Sequence, residues 1–209
     1  MIREQFRTHL LNWGQDNIRS FPWREPDRTL YEVFVAEFFL TQTPAHNVAT
    51  VYPRFLSQFP SLDAIRSATE SELVEIIRPL GFYNMRASAL KQIAETNDTL
   101  PDTPSELEKL PRVGEYVANA TVCFTYDTPL PVLDRNVNRV YSRVFGDEWP
   151  DGHSDQLRFT ADLVPDAARL YNFALLDFGA TVCTPDPRCN RCFANSYCAF
   201  YRDHSLTES

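Results

Sequence analysis

Lysine is nearly missing from this chain: Lys91 and Lys109 are the only two, and arginine supplies the rest of the positive charge. Also missing is any apolar run long enough to span a bilayer, so a helical membrane protein is excluded and no membrane partner is expected. No secretory signal pattern opens the sequence, and Met1-Ile-Arg-Glu-Gln-Phe already reads as folded helix. The expectation is an intracellular protein. Alternating apolar–polar stretches are scarce, and neither an internal repeat nor a low-complexity segment is found, which argues against β-rich and solenoid folds. Net charge is −8 and the isoelectric point near 5.0, the wrong sign for a surface that holds polyanions through general positive charge. Abundant acids with few lysines fit either a proteome adapted to high salt, where acidic surfaces keep proteins soluble, or an ordinary acidic cytosolic enzyme.

What is present is a helical pattern. With 209 residues, 44% of them hydrophobic, the chain can build one compact unit or two small lobes. Ile2, Phe6, Leu10 and Trp13 share a helix face, Tyr31, Phe34, Val35, Phe38 and Phe39 form a thick apolar stripe, and Val48, Val51, Tyr52 and Phe55 mark a third helix. Thr69 with Glu72 makes a capping box ahead of an apolar run that Gly81 would stop. Thr103-Pro104-Ser105-Glu106 is another start signal. Val137, Val140, Tyr141 and Val144 follow Asp134 at helical spacing until Gly146, and a long helix covers roughly 166–181. The fold class is all-α.

Three constellations carry chemistry. Cys183, Cys189, Cys192 and Cys198 are separated by five, two and five residues, close enough to surround one metal centre. Disulfides suit small secreted domains and are set aside. Spacing alone leaves zinc and an iron–sulfur cluster both open. Cys123 stands apart and reads as a buried apolar residue. Leu110-Pro-Arg112-Val113-Gly114-Glu-Tyr116 joins two helices through a tight hairpin, and the free backbone N–H groups opening the second helix suit a phosphate without needing lysine. The alternative is an ordinary helix connection. Asp134 follows an apolar stretch and precedes a helix, which fits either a plain N-cap or a cap whose carboxylate also faces a cleft. It lies eighteen residues after Tyr116, so both are expected to face one groove. Glu37 is embedded in Val33-Phe-Val-Ala-Glu-Phe-Phe-Leu, where a carboxylate is costly unless it is paired, exposed or functional.

Phe21-Pro-Trp-Arg24, Glu37, Thr41-Gln-Thr, Leu80-Gly-Phe-Tyr, Leu110-Pro-x-Val-Gly114, Leu133-Asp-x-Asn-Val and the final cysteines occur in the order of one family. Over nearly its whole length the chain resembles the endonuclease III superfamily of helix-hairpin-helix DNA base-excision glycosylases. Within it, Tyr116, Asn84 and Leu170-Tyr-Asn-Phe-Ala-Leu-Leu-Asp-Phe-Gly179 look closest to archaeal thymine–guanine mismatch glycosylases. The resemblance implies two helical lobes flanking a DNA-binding cleft: a six-helix barrel with the hairpin over 27–133, and a discontinuous iron–sulfur domain over 1–26 and 134–209. It raises a 4Fe–4S cluster over zinc at Cys183, Cys189, Cys192 and Cys198. It implies a monomer that works in cytoplasm or nucleoid on double-stranded DNA carrying a mismatched or damaged base.

The resemblance also distributes roles. Asp134, Glu37 and Tyr116 would be catalytic, and Gln42, Phe82, Arg112, Val113, Gly114 and Arg191 would bind DNA, Gln42 and Phe82 by filling the stack left by an extruded base. Bifunctional relatives have lysine at the place of Tyr116 and form an imine with the sugar; a phenol cannot. The implied activity is removal of thymine or uracil opposite guanine without strand cleavage. Alternatives are adenine excision opposite guanine or 8-oxoguanine, and a non-catalytic iron–sulfur DNA-binding module. The chain stops soon after the last cysteine, short of the extra C-terminal domain usual in adenine glycosylases of this family. Two departures stand out: Arg112 replaces the first hairpin glycine, and the first cysteine interval is one residue shorter than usual.

Overall fold

The computed structural model describes residues 1–205; positions 206–209, assigned above to the iron–sulfur lobe, lie outside the described residues. In chain order the helices are α1 (Ile2–Asn17), α2 (Leu30–Leu40), α3 (Ala45–Gln58), α4 (Leu62–Ser67), α5 (Glu70–Ile77), α6 (Tyr83–Thr96), α7 (Pro104–Leu107), α8 (Glu115–Tyr126), α9 (Arg135–Phe145), α10 (His153–Leu163), α11 (Ala168–Thr181) and α12 (Ala199–Ser205). No strand occurs among the described residues. The chain divides into two compact units, Ser20–Tyr126 and Met1–Arg19 with Asp127–Ser209.

The continuous unit is built around α2. Every residue from Val33 to Phe39 is buried, so this helix is apolar all round and sits in the middle of its unit. It starts at a capping box, Thr29 with Glu32, and packs against α3 and α8; Phe39 meets Phe55 edge-on at 4.9 Å. The box at Thr69 and Glu72 opens α5 as its spacing predicts. Gly81, at φ 75, turns the chain after a short 3₁₀ segment that follows α5.

The discontinuous unit centres on α1, α9 and α11. Phe6 contacts Tyr141, Phe145 and Phe178, while the buried Tyr141 and Tyr171 hydroxyls meet at 3.0 Å. Gly14 lets α1 and α11 approach closely, since a Cβ there would come within 2.7 Å of Ala174 Cβ. Gly179 does the same for α11 and α9, where a Cβ would lie 3.1 Å from Asn136 Cβ.

The division falls at Arg19/Ser20 and Tyr126/Asp127 rather than at 27 and 134. Local bonding explains both shifts. Arg19 is tied to the fully buried Asp177 of α11 by its backbone N–H (2.7 Å) and its guanidinium (2.6 and 2.8 Å). Just beyond, Trp23 stacks on Phe21 and meets Tyr52 of α3 edge-on, in the other unit. At the second crossing, the Asp127 carboxylate accepts the Arg169 backbone N–H at 2.6 Å and Leu130 O accepts Asn172 Nδ2 at 3.1 Å, which joins 127–133 to α11.

Candidate active site

On the continuous unit, three non-glycine residues with left-handed backbone stand on the wall of one open pocket of about 560 Å³: Gln42 (φ 55), Phe82 (φ 49) and Arg112 (φ 61). Met85 and Arg86 line it as well. Non-glycine residues adopt this conformation at a cost, and such strain gathers at functional sites. Phe82 is 54% exposed, an unusual setting for a large aromatic side chain.

The loops carrying Gln42 and Phe82 are clamped by a residue that the sequence did not single out. Arg86 is 5% exposed and donates to Phe38 O (2.7 Å), Thr41 O (2.7 Å), Thr43 Oγ1 (2.8 Å) and Gly81 O (3.2 Å). One guanidinium thereby fastens the end of α2 and the turn at Gly81. Burial pushes its pKa down, and the nearby positive charge of Arg112 adds to the effect.

The hairpin runs from α7 to α8 through Leu110-Pro-Arg-Val-Gly114, with Val113 N–H bonded to Leu110 O at 3.1 Å. Val113 is buried. Gly114 does not need glycine for its backbone angle, and a Cβ on it would meet nothing within 4 Å. Its open face leaves room for a ligand to reach the amides that open α8. Tyr116 stands in the first turn of α8, half-buried. Glu37 is 2% exposed on α2, which excludes the solvent-exposed reading of this carboxylate.

On the discontinuous unit, Asp134 is half-buried and caps α9. Its Oδ1 accepts Asn136 N (2.8 Å) and Val137 N (2.7 Å), and its Oδ2 accepts Asn136 Nδ2 (3.1 Å). The cap fixes the carboxylate at the positive end of α9, where its negative charge is favoured.

Cys183, Cys189, Cys192 and Cys198 line a second cavity together with Arg143 and Phe178. Arg143 reaches Cys183 Sγ at 3.6 Å, and the Ala194 N–H reaches Cys192 Sγ at 3.4 Å. Burial pushes the Cys189, Cys192 and Cys198 thiols up, Cys192 to about 11, and neighbouring thiols add to the rise, so charge is disfavoured here until a cation compensates it. Among the described residues no three His, Cys, Asp or Glu side chains converge as ligands of a single ion. A cluster is wider than an ion and holds its thiolates further apart. Four cysteines around one cavity, with an arginine and an amide aimed at sulfur, are a donor set suited to such a group. Arg188 and Arg191 are exposed on the same loop.

A family model described as HhH-GPD superfamily base excision DNA repair protein matches residues 35–165, and the chain belongs to this superfamily. Among individual relatives, the adenine DNA glycosylase of Mycobacterium tuberculosis is 37% identical over 88% of this chain; the chain spans 64% of that relative's length. The thymine/uracil-DNA glycosylase of Pyrobaculum aerophilum is 34% identical, with 95% of this chain and 92% of the relative covered. A solved structure of a thermostable thymine-DNA glycosylase superposes with a TM-score of 0.92 at 28% identity, covering 97% of each chain.

Proposed function

We propose that this protein is a monofunctional DNA glycosylase that removes thymine or uracil mispaired with guanine. The similarity to the Pyrobaculum thymine/uracil enzyme over nearly the full length of both chains carries this reading. Duplex bases are reached by extrusion, which costs least at a mismatch, so a T:G pair is an economical substrate. Gln42 and Phe82, clamped by Arg86, fill the vacated stack. Val113, Gly114 and the start of α8 hold a phosphate through backbone amides, which lets a chain of net charge −8 grip DNA.

In the chemical step the glycosidic bond breaks and the base leaves with the bonding electrons. The Asp134 carboxylate stabilises the positive sugar and takes a proton as water adds to the anomeric carbon, and the departed base anion takes up a proton in turn, restoring the balance. Glu37 contacts the extruded base and Tyr116 walls its pocket. The products are a free pyrimidine and an abasic site in an intact strand. Cys183, Cys189, Cys192 and Cys198 hold a 4Fe–4S cluster that orders the loop presenting Arg188 and Arg191 to phosphate. The protein acts as an intracellular monomer.

The mycobacterial relative favours a second reading, adenine excision, with Glu37 protonating the purine. Duplexes containing T:G, U:G, A:G or A:8-oxoguanine, incubated with the protein and then treated with alkali, separate the two. Strand breaks at T:G and U:G are expected. Breaks confined to adenine would replace the first reading with the second, and binding of an abasic analogue without breaks in any duplex would indicate a non-catalytic module.

A further inference from the structure

The open pocket on the continuous unit holds two positive charges, Arg86 and Arg112, and among the described residues no carboxylate lines it. Arg86 is committed to loop oxygens. Arg112 is exposed and makes no hydrogen bond or ion pair with any described residue. It lines the pocket beside Gln42 and Phe82, from a backbone conformation (φ 61) that glycine would adopt freely. An arginine in a strained position and without a partner among the described residues is poised for a ligand.

The other walls describe that ligand. Exposed Phe82 (54%) and Met85 (43%) offer flat apolar contact, which a phosphate does not use and a nucleobase does. A guanidinium donates through two parallel N–H groups, and guanine O6 and N7 are the paired acceptors that match it; adenine presents a donor at one of these places and thymine a single acceptor. We infer that Arg112 reads the base left opposite the extruded nucleotide and selects guanine there. The inference rests on the glycosylase reading and extends it to the choice of the opposite base.

Binding, rather than turnover, tests it. Duplexes carrying a non-cleavable abasic analogue opposite guanine, 7-deazaguanine or adenine would be titrated with the parent, Arg112→Gly and Arg112→Lys over a range of salt. Glycine suits φ 61, so Arg112→Gly is expected to fold, and its melting temperature checks this. The parent should bind the guanine duplex roughly ten-fold more tightly than the other two. Arg112→Gly should lose that preference, and Arg112→Lys should recover only part of it. Equal binding of all three duplexes by the parent overturns the inference. So does an Arg112→Gly that weakens on every duplex alike and lowers the salt slope by about one, the mark of a phosphate contact. Guanine preference without base release from T:G would uphold Arg112 while overturning the glycosylase reading.

Discussion

Asp134 caps α9, and one substitution separates this cap from the chemical duty proposed for it. Asn caps helices about as well as Asp, so Asp134→Asn should melt within about 0.5 kcal/mol of the parent. Its amide neither stabilises a cationic sugar nor takes a proton from water, so single-turnover release from T:G duplex should fall by at least about a hundred-fold. Full release by the variant would remove Asp134 from the chemistry. Tyr116→Lys tests the other half of the mechanism: an amine at this place should allow imine formation, so borohydride should link the variant, and not the parent, to DNA. Efficient trapping of the parent would rule out the monofunctional scheme. Both positions stand out in the sequence as candidates, Asp134 from the helical period after it and Tyr116 from its place after Gly114. Glu37 betrays itself by its apolar neighbours. Arg86 does not, because its acceptors lie at residues 38–43 and 81, and no local pattern says that an arginine on an otherwise exposed turn is buried.

Among elements, helix starts are legible where side-chain spacing marks them. Thr69 with Glu72 and Asp134 behave as caps in the structure. Thr29 with Glu32 has the same spacing and does the same work, although the stripe that follows draws the eye first. Thr103-Pro104 opens a helix of only four residues, because the hairpin follows at once. Helix α6 buries three alanines among its core residues and α10 only Phe159, Thr160 and Leu163, so neither shows a run of large apolar residues at helical spacing. The capping boxes also set an acid response. Burial works against the charge of Glu32, but the Thr29 N–H, Arg28 and the Thr29 hydroxyl outweigh it and hold Glu32 below the usual carboxylate range. Glu72 is held low by the Thr69 N–H and hydroxyl. Folded values below the unfolded 4.5 contribute stability that is present above pH 4.5 and lost as pH falls through the lowered folded values. Thr29→Ala should cost about 1 kcal/mol at pH 7 and flatten the fall in melting temperature between pH 5 and about 3. An unchanged acid slope would show that the box at α2 does not contribute to it.

For the whole molecule, periodicity points to helices and the family resemblance to two lobes, while length alone leaves one unit or two open; none of these tells where the chain crosses between units, which buried pairs such as Arg19 with Asp177 decide. The cysteine quartet makes the broadest prediction. Protein purified without oxygen should be yellow-brown and carry about four irons per chain, and stoichiometric zinc in their place would refute the cluster. The discontinuity of the second unit reaches back to the protein's birth. Residues 20–126 are contiguous and can fold as they leave the ribosome. Helix α1 is made ahead of this unit, but its partner α11 starts only at Ala168. At about 5–20 residues per second, Phe6 and Leu10 wait roughly 10–30 s after their own synthesis for α11, against which they are buried.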